Sequence, residues 1–255
     1  MKKRLITTIV TIILALSMGF SFAVSQANSV YADDLEGVTI YSDAEIKQIN
    51  FKVSDAQERI TAARQMDESA KKLGYEYTHD IRVLARQELA SAQADYEEYA
   101  AKQEEAKWSP MMREYPVATI VWKYLTDEGY SEVVSAAIIG NMMTEVGGNT
   151  LSLDYTLGSA KFYGICQWKL KYCSEVYKED LQGQLAYLNK TMEQEFNTFG
   201  NQYKKNFDYS DFLEMTDVRQ AALAFSKCYE RNEEGSYAKR QDNAVTAYEY
   251  FVEKQ

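Results

Sequence analysis

The run Ala136-Ala137-Ile138-Ile139-Gly140-Asn141-Met142-Met143-Thr144-Glu145-Val146-Gly147-Gly148-Asn149 decides the reading of this chain. Traced back to Glu132, it is apolar nearly all round. Val134, Ala137, Ile138 and Met142 lie beside Val133, Ala136, Ile139 and Met143, so a helix here must be buried on every side. Ser131 is placed to cap its first turn, and Gly147-Gly148-Asn149 to end it. The spacing predicts a helix over Glu132–Glu145. Its last residue is a carboxylate, although apolar surroundings and the negative end of a helix dipole are both poor places for a negative charge. A general acid needs a carboxyl that keeps its proton. Glu145 is therefore the candidate acid, and replacing it is expected to leave stability unchanged or slightly raised.

Helical patterns flank this segment. Pro116 suits the first position of a helix. Val117, Ile120, Val121, Tyr124 and Leu125 give that helix an apolar face, and Gly129 ends it. Downstream, Leu181, Leu185, Leu188, Met192, Phe196 and Phe199 mark an amphipathic helix. Val218, Ala221, Ala222, Phe225 and Tyr229 mark another, and Val245, Tyr248, Phe251 and Val252 a last one. Thr150–Gly164 has no helical period and reads as a loop or a short irregular hairpin. Residues 109–255 thus predict an all-α domain of ordinary size.

Asp43–Lys107 differs in composition, being rich in Ala, Glu, Gln, Lys and Arg and free of proline. Ile46, Ile49, Val53, Ala56, Ile60, Ala63 and Ala70 recur three and four apart with one slip at Asp67, as an a/d seam does. Leu73-Gly74 interrupts it, and Ala85, Leu89, Ala92, Tyr96 and Tyr99 take it up again. Residues 33–108 are expected to form a two-helix antiparallel coiled-coil hairpin, a spacer or docking stalk without chemistry of its own. His79 falls near its turn.

Met1–Ala32 has the layout of a secretory signal peptide. Lys2-Lys3-Arg4 precedes an apolar stretch from Leu5 to Val24, and Val30-Tyr31-Ala32 offers a cleavage site. Cleavage after Ala32 is expected, with the rest of the chain secreted or held in the cell envelope. The alternative is an uncleaved anchor, the one case that makes a membrane a partner.

The formal net charge is −10, and the first 32 residues hold three basic groups and no acidic one, so without them it is −13. Such acidity excludes non-specific nucleic-acid binding. One histidine excludes a His-rich zinc site or a His-based triad, and three cysteines are too few for a disulfide scaffold. A cysteine nucleophile lacks a base, because His79 lies in the stalk. Export permits a disulfide between Cys166 and Cys173, but pairing among these two and Cys228 stays open. No cofactor or metal is implied.

The buried helix is followed after a loop by Tyr163-Gly164-Ile165-Cys166-Gln167-Trp168, then by Gln184-Leu185-x-Tyr187-Leu188 and Tyr229-Glu230-Arg231. Together with Ala136-Ala137 and Gly140-Asn141, this ordered set resembles the phage tail lysozyme family, a helical branch of the lysozyme-like superfamily related to goose-type lysozymes and soluble lytic transglycosylases. The resemblance runs from about Tyr115 to Phe251 and leaves out the hairpin. It implies a lysozyme-like helical fold and a peptidoglycan glycosidase with Glu145 as catalytic acid. It places Gln167 beside the sugar cleft, with Tyr163 and Trp168 lining it. The chain departs from the family pattern at Val146, often Ser in relatives, in Lys169-Leu170-Lys171-Tyr172, and at Asn232, commonly Pro.

Two-carboxylate glycosidases need a second acid, for which Asp154, in the loop between the motifs, and Glu175 are the candidates. The related single-Glu enzymes need none. Hydrolysis by a muramidase and 1,6-anhydro formation by a lytic transglycosylase both follow from the resemblance, the bond cut being the MurNAc–GlcNAc β-1,4 linkage. The competing reading is a non-catalytic cell-wall-binding or docking module on a degenerate lysozyme fold, with the hairpin as its working part and an envelope protein as partner.

Overall fold

Ser131 Oγ accepts a hydrogen bond from the Val134 amide at 3.2 Å, which sets the start of the buried helix. In this computed structural model, which describes residues 38–202, 208–232 and 234–253, that helix runs over Glu132–Glu145. The proposed signal segment, Met1–Ala32, lies outside the described residues. Among those that are described, no helix is long and apolar enough to cross a membrane.

The fold is all-α. In chain order its helices are α1 (Asp43–Lys72), α2 (Asp80–Ala106), α3 (Ser109–Glu114), α4 (Pro116–Asp127), α5 (Glu132–Glu145), α6 (Leu181–Gln202), α7 (Tyr209–Leu213), α8 (Val218–Phe225) and α9 (Tyr237–Glu253). The one sheet among the described residues pairs β1 (Phe162–Tyr163) with β2 (Trp168–Lys169), antiparallel, with Tyr163 opposite Trp168.

Helix α5 is the centre of the domain. From Val134 to Met143 every residue is buried. It packs chiefly against α8 and α9. Gly140 makes the α9 crossing possible, because a Cβ there would run into the Ala244 backbone and sit 2.7 Å from its Cβ. Helix α4 closes another side, with Trp122 stacked on Phe251 of α9 at 4.6 Å between ring centroids. A ladder of stacked or tilted rings joins α6, α7 and α8: Phe196 on Phe212 at 4.5 Å, Phe212 on Phe225 at 6.2 Å, and Phe225 on Tyr229 at 4.9 Å.

Before this domain, α1 and α2 lie antiparallel. Gln103 donates to Asn50 at one end, Arg59 bridges to Glu88 and Asp95 in the middle, and Arg82 pairs with Asp67 at the other end. Ile49, Val53, Ala56, Ala63 and Ala70 are buried against Ala85 and Ala92. Gly74 turns the chain at φ +78°. His79 caps α2 by accepting the Ile81 amide and stacks on Tyr75 at 4.2 Å. The base of the pair is fastened to α3: the Tyr41 amide donates to Ser109 Oγ at 2.9 Å, and Arg113 pairs with Asp43 at 2.5 Å.

Candidate active site

Glu145 stands where α5 stops. The Val146 and Gly147 amides still close onto Met142 and Met143, and the Asn149 amide bonds Met143 O at 2.8 Å. Gly148 and Asn149 take the left-handed backbone, at φ +56° and +68°. Gly147 has no room for a Cβ, which would strike Thr150 O and touch Leu153. The turn therefore folds back tightly and leaves the Glu145 side chain at the rim of the buried layer, 18% exposed.

An apolar pocket around Glu145 is what the sequence predicts; the structure supplies a cation instead. Arg240 of α9, only 4% exposed, donates from Nη2 to Glu145 Oε1 at 2.5 Å. Its Nη1 bonds both the Asn141 carbonyl, at 3.3 Å, and Asn141 Oδ1, at 3.2 Å, and its Nε reaches Ser236 Oγ. Asn141 is wholly buried, and its Nδ2 donates to Ala137 O and, across to α8, Ala222 O. Asn243 of α9 donates to Thr144 Oγ1 at 2.9 Å and to Asn149 Oδ1 at 3.3 Å, which ties the turn to the same helix. A guanidinium so fully engaged is rigid, and it fixes the carboxylate it holds.

A second carboxyl belongs to this cluster. Helix α8 continues into a π-helical turn, Ser226–Glu230, ended by Arg231 at φ +58°. Such turns are frequent at functional sites. This one sets Tyr229 Oη on Trp168 Nε1 and Thr191 Oγ1 and brings Glu230 to the Cys166 thiol. Glu230 is partly buried, and its Oε1 is fully enclosed without a hydrogen-bond partner. Burial first, and then the negative charge of Glu145, push its carboxyl up to about 8, against the opposing pull of Arg240, the Cys166 thiol and Arg231. Burial likewise raises the Cys166 thiol well above its ordinary range, with the charge of Glu230 adding to it. Cys166, Cys173 and Cys228 are all free thiols.

The residues expected to line the cleft take distinct positions. Gln167 adopts φ +46°, and its amide nitrogen donates to Leu157 O at 2.8 Å and Gly164 O at 2.9 Å, so its side chain braces the loop. Trp168 is 7% exposed, and its Nε1 donates to Tyr229 Oη at 3.0 Å, which couples the strand pair to the π-helical turn. Tyr163 is half-buried and meets Tyr177 edge to face at 5.6 Å. Asp154 caps its own turn by accepting from the Thr156 amide and hydroxyl. Glu175 is exposed and paired with Lys190 at 3.0 Å. Neither Asp154 nor Glu175 has a described bond to Glu145 or Arg240.

The turn bearing this loop is pinned by Gln184, wholly buried on α6. Its Oε1 accepts the Ile165 amide at 2.8 Å, and its Nε2 donates to Tyr155 O and Glu179 O. Gly164, at φ +84°, lets the loop close over it, since a Cβ there would sit 2.5 Å from Gln184 Oε1.

Glu230, read in the sequence only as part of the Tyr229-Glu230-Arg231 motif, and Arg240 are the buried charged residues to which sequence reasoning gives no role. Glu230 carries the same signature as Glu145, a carboxylate ending an apolar helical run, here Ala221, Ala222, Phe225, Cys228 and Tyr229. Arg240 has no local signature, because its partner lies 95 positions away. No curated protein matches this sequence. Residues 116–251, just over half of the chain and all of the helical framework from α4 to α9 that builds this cluster, match the model of the phage tail lysozyme family, and the protein belongs to that family of lysozyme-like domains that act on the peptidoglycan cell wall.

Proposed function

We propose that the protein cuts peptidoglycan glycan strands at the MurNAc–GlcNAc β-1,4 bond, with Glu145 as the proton donor to the leaving oxygen. The observation that supports this reading is the setting of Glu145 in a chain of this family. It is the terminal side chain of the buried helix, at a glycine turn that keeps neighbouring side chains away, and Arg240 holds it from behind. When the glycosidic C–O bond breaks, the leaving oxygen takes the Glu145 proton. The carboxylate that remains is already paired to the Arg240 guanidinium, so the charge that develops meets a fixed opposite charge. The cation formed at the sugar is then captured by water or by the sugar's own hydroxyl group, whose proton passes to the Glu145 carboxylate and restores the acid. These outcomes correspond to a muramidase and a lytic transglycosylase.

The remaining elements fit an exported wall enzyme. The chain is proposed to leave the cytoplasm on Met1–Ala32, with cleavage after Ala32, and to carry the α1–α2 pair as a spacer or as a docking element for an envelope protein. Digestion of purified wall by wild type and Glu145→Gln, with mass analysis of the released fragments, tests the reading. Wild type is expected to release disaccharide-peptides and the variant none. Products heavier by one water than their anhydro counterparts indicate hydrolysis. An inactive wild type on several wall types would replace this reading with the wall-binding one.

A further inference from the structure

We propose that the exposed lysine–tyrosine surface of the β1–β2 pair and the turn after it holds the carboxylate-bearing stem peptides that branch from the glycan strand. The inference rests on the reading of peptidoglycan as the substrate and adds a second part of that polymer to what the protein recognises. It gives a role to Lys169-Leu170-Lys171-Tyr172, where the chain departs from its family.

Two independent features meet in this stretch. The first is charge. Residues 157–178 contain four lysines, Lys161, Lys169, Lys171 and Lys178, against one carboxylate, in a chain whose net charge is −10. That carboxylate, Glu175, is paired with Lys190 of α6 at 3.0 Å. All four lysines are exposed, and among the described residues none of them has an ion pair. The second is apolar area. Among the described residues of the domain from Ser109 onward, five large apolar side chains are exposed, and four of them, Leu157, Phe162, Tyr172 and Tyr177, lie in this one stretch. Exposed apolar groups gathered in one place mark contact with a partner, whereas scattered ones do not.

The backbone makes the cluster a surface. Trp168 is turned inward, so Lys169, the next residue of β2, is turned outward. Phe162 stands opposite Lys169 across the strand pair, and residues directly opposite share a face. Lys169 Nζ and Lys171 Nζ lie 5.5 Å and 5.2 Å from the centre of the Tyr172 ring, which extends this face beyond the strand. Lys178 Nζ lies 5.4 Å from the Tyr177 ring, and Tyr177 meets Tyr163, the residue expected to line the cleft. The Leu170 amide bonds Lys161 O, and the Tyr172 amide bonds Lys169 O, each at 2.9 Å, so the frame is fixed. An ammonium beside a ring still has donors to give to a ligand.

The chemistry of the surface selects its ligand. A phosphodiester polymer would use the lysines and leave the rings without a role. A bare sugar chain would use the rings and leave the lysines. Stem peptides have both kinds of group, carboxylates at their acidic residue and C-terminus with methyl and methylene groups between. They are also joined to the strand whose cleavage is proposed above, and the surface adjoins the loop that bears Gln167 and Trp168. Lysine, a compact charge on a flexible stem, suits a carboxylate on a mobile branch.

The test is binding, which needs no turnover. Full-length Glu145→Gln protein is titrated with soluble glycan chains whose stem carboxylates are free, with the same chains after amidation of those carboxylates, and with polyglycerol phosphate. Free-carboxylate chains should bind about tenfold more tightly than amidated ones, a preference that added salt reduces. Adding Lys169→Gln and Lys171→Gln should cut the preference to about twofold or less, and adding Lys169→Glu and Lys171→Glu should reverse it. Tyr172→Ser should weaken binding of free and amidated chains alike, by about threefold or more. No binding of either chain, equal affinity for both, or a preference that survives Lys169→Glu with Lys171→Glu would overturn the proposal. Tighter binding of polyglycerol phosphate than of the free-carboxylate chains, lost in the same variants, would overturn it in favour of a phosphate polymer. If wild type cuts no wall, the glycosidase reading fails by itself, and these affinities still decide what the surface holds.

Discussion

Gly140 of α5 and Ala244 of α9 touch backbone to backbone, with no space for a methyl group between them. This contact sets the spacing of the two helices that carry Glu145 and Arg240. Gly140→Ala forces the helices apart or bends one of them. Overpacking of a filled core costs about 1–3 kcal/mol, and a clash with backbone belongs at the upper end because no rotamer relieves it. Chemical unfolding should show that loss, together with a fall in wall digestion as Arg240 moves off Glu145.

Glu145→Gln should remove turnover by at least about 10²-fold, since an amide has no proton of suitable acidity to give. Its effect on stability runs against the expectation from sequence alone. Arg240 is 4% exposed, and replacing its carboxylate partner by a neutral amide leaves a buried cation with a weaker acceptor. The loss should be about 1–3 kcal/mol, the range for hydrogen bonds to charged groups. Thermal unfolding of the same preparation used for digestion reads both numbers.

Gln184→Leu should destabilise the cleft loop without touching the acid. The substitution keeps the volume and removes the acceptor for the Ile165 amide, together with the donor to Tyr155 O and Glu179 O. Leaving such groups unpaired in the interior costs about 1–3 kcal/mol. Amide hydrogen exchange at Ile165 should accelerate, and KM should rise more than kcat falls.

A chain beginning near Ser109 should fold and cut soluble glycan chains as the full protein does. Its losses at α3 include the Tyr41 amide bond to Ser109, the Arg113 bond to the Tyr41 carbonyl and the Asp43–Arg113 pair. Surface pairs of this kind contribute about 0–1 kcal/mol. A truncated domain that shows native helical circular dichroism and no activity on soluble chains would make the α1–α2 pair part of the site.

Much of this was legible in the sequence because local rules and burial agree. Ser131, the all-round apolar run and Gly147-Gly148 delimit α5 to the residue, and Pro116 starts α4, which stops at Asp127, two residues before Gly129. Asp154 and Glu175 look plausible as second acids because of where they lie in the chain, but one caps its own turn and the other pairs with a lysine in solvent. Glu230 is legible only as part of the Tyr229-Glu230-Arg231 motif, because its burial depends on the π-helical turn, and no residue in Ser226–Glu230 announces that turn. Arg240 was hidden because nothing near it in the chain needs a charge. The electrostatics of Glu145 could not be read without Arg240.

The fastening of Tyr41 and Asp43 to Ser109 and Arg113 puts both feet of the α1–α2 pair on the same spot. An α-helix of thirty residues is about 45 Å long, so the turn at Gly74 stands at the far end of a cantilever whose base is fastened to α3. Load applied at that tip arrives at the base as torque on a six-residue helix, one short step along the chain from α4 and the core that seats α5.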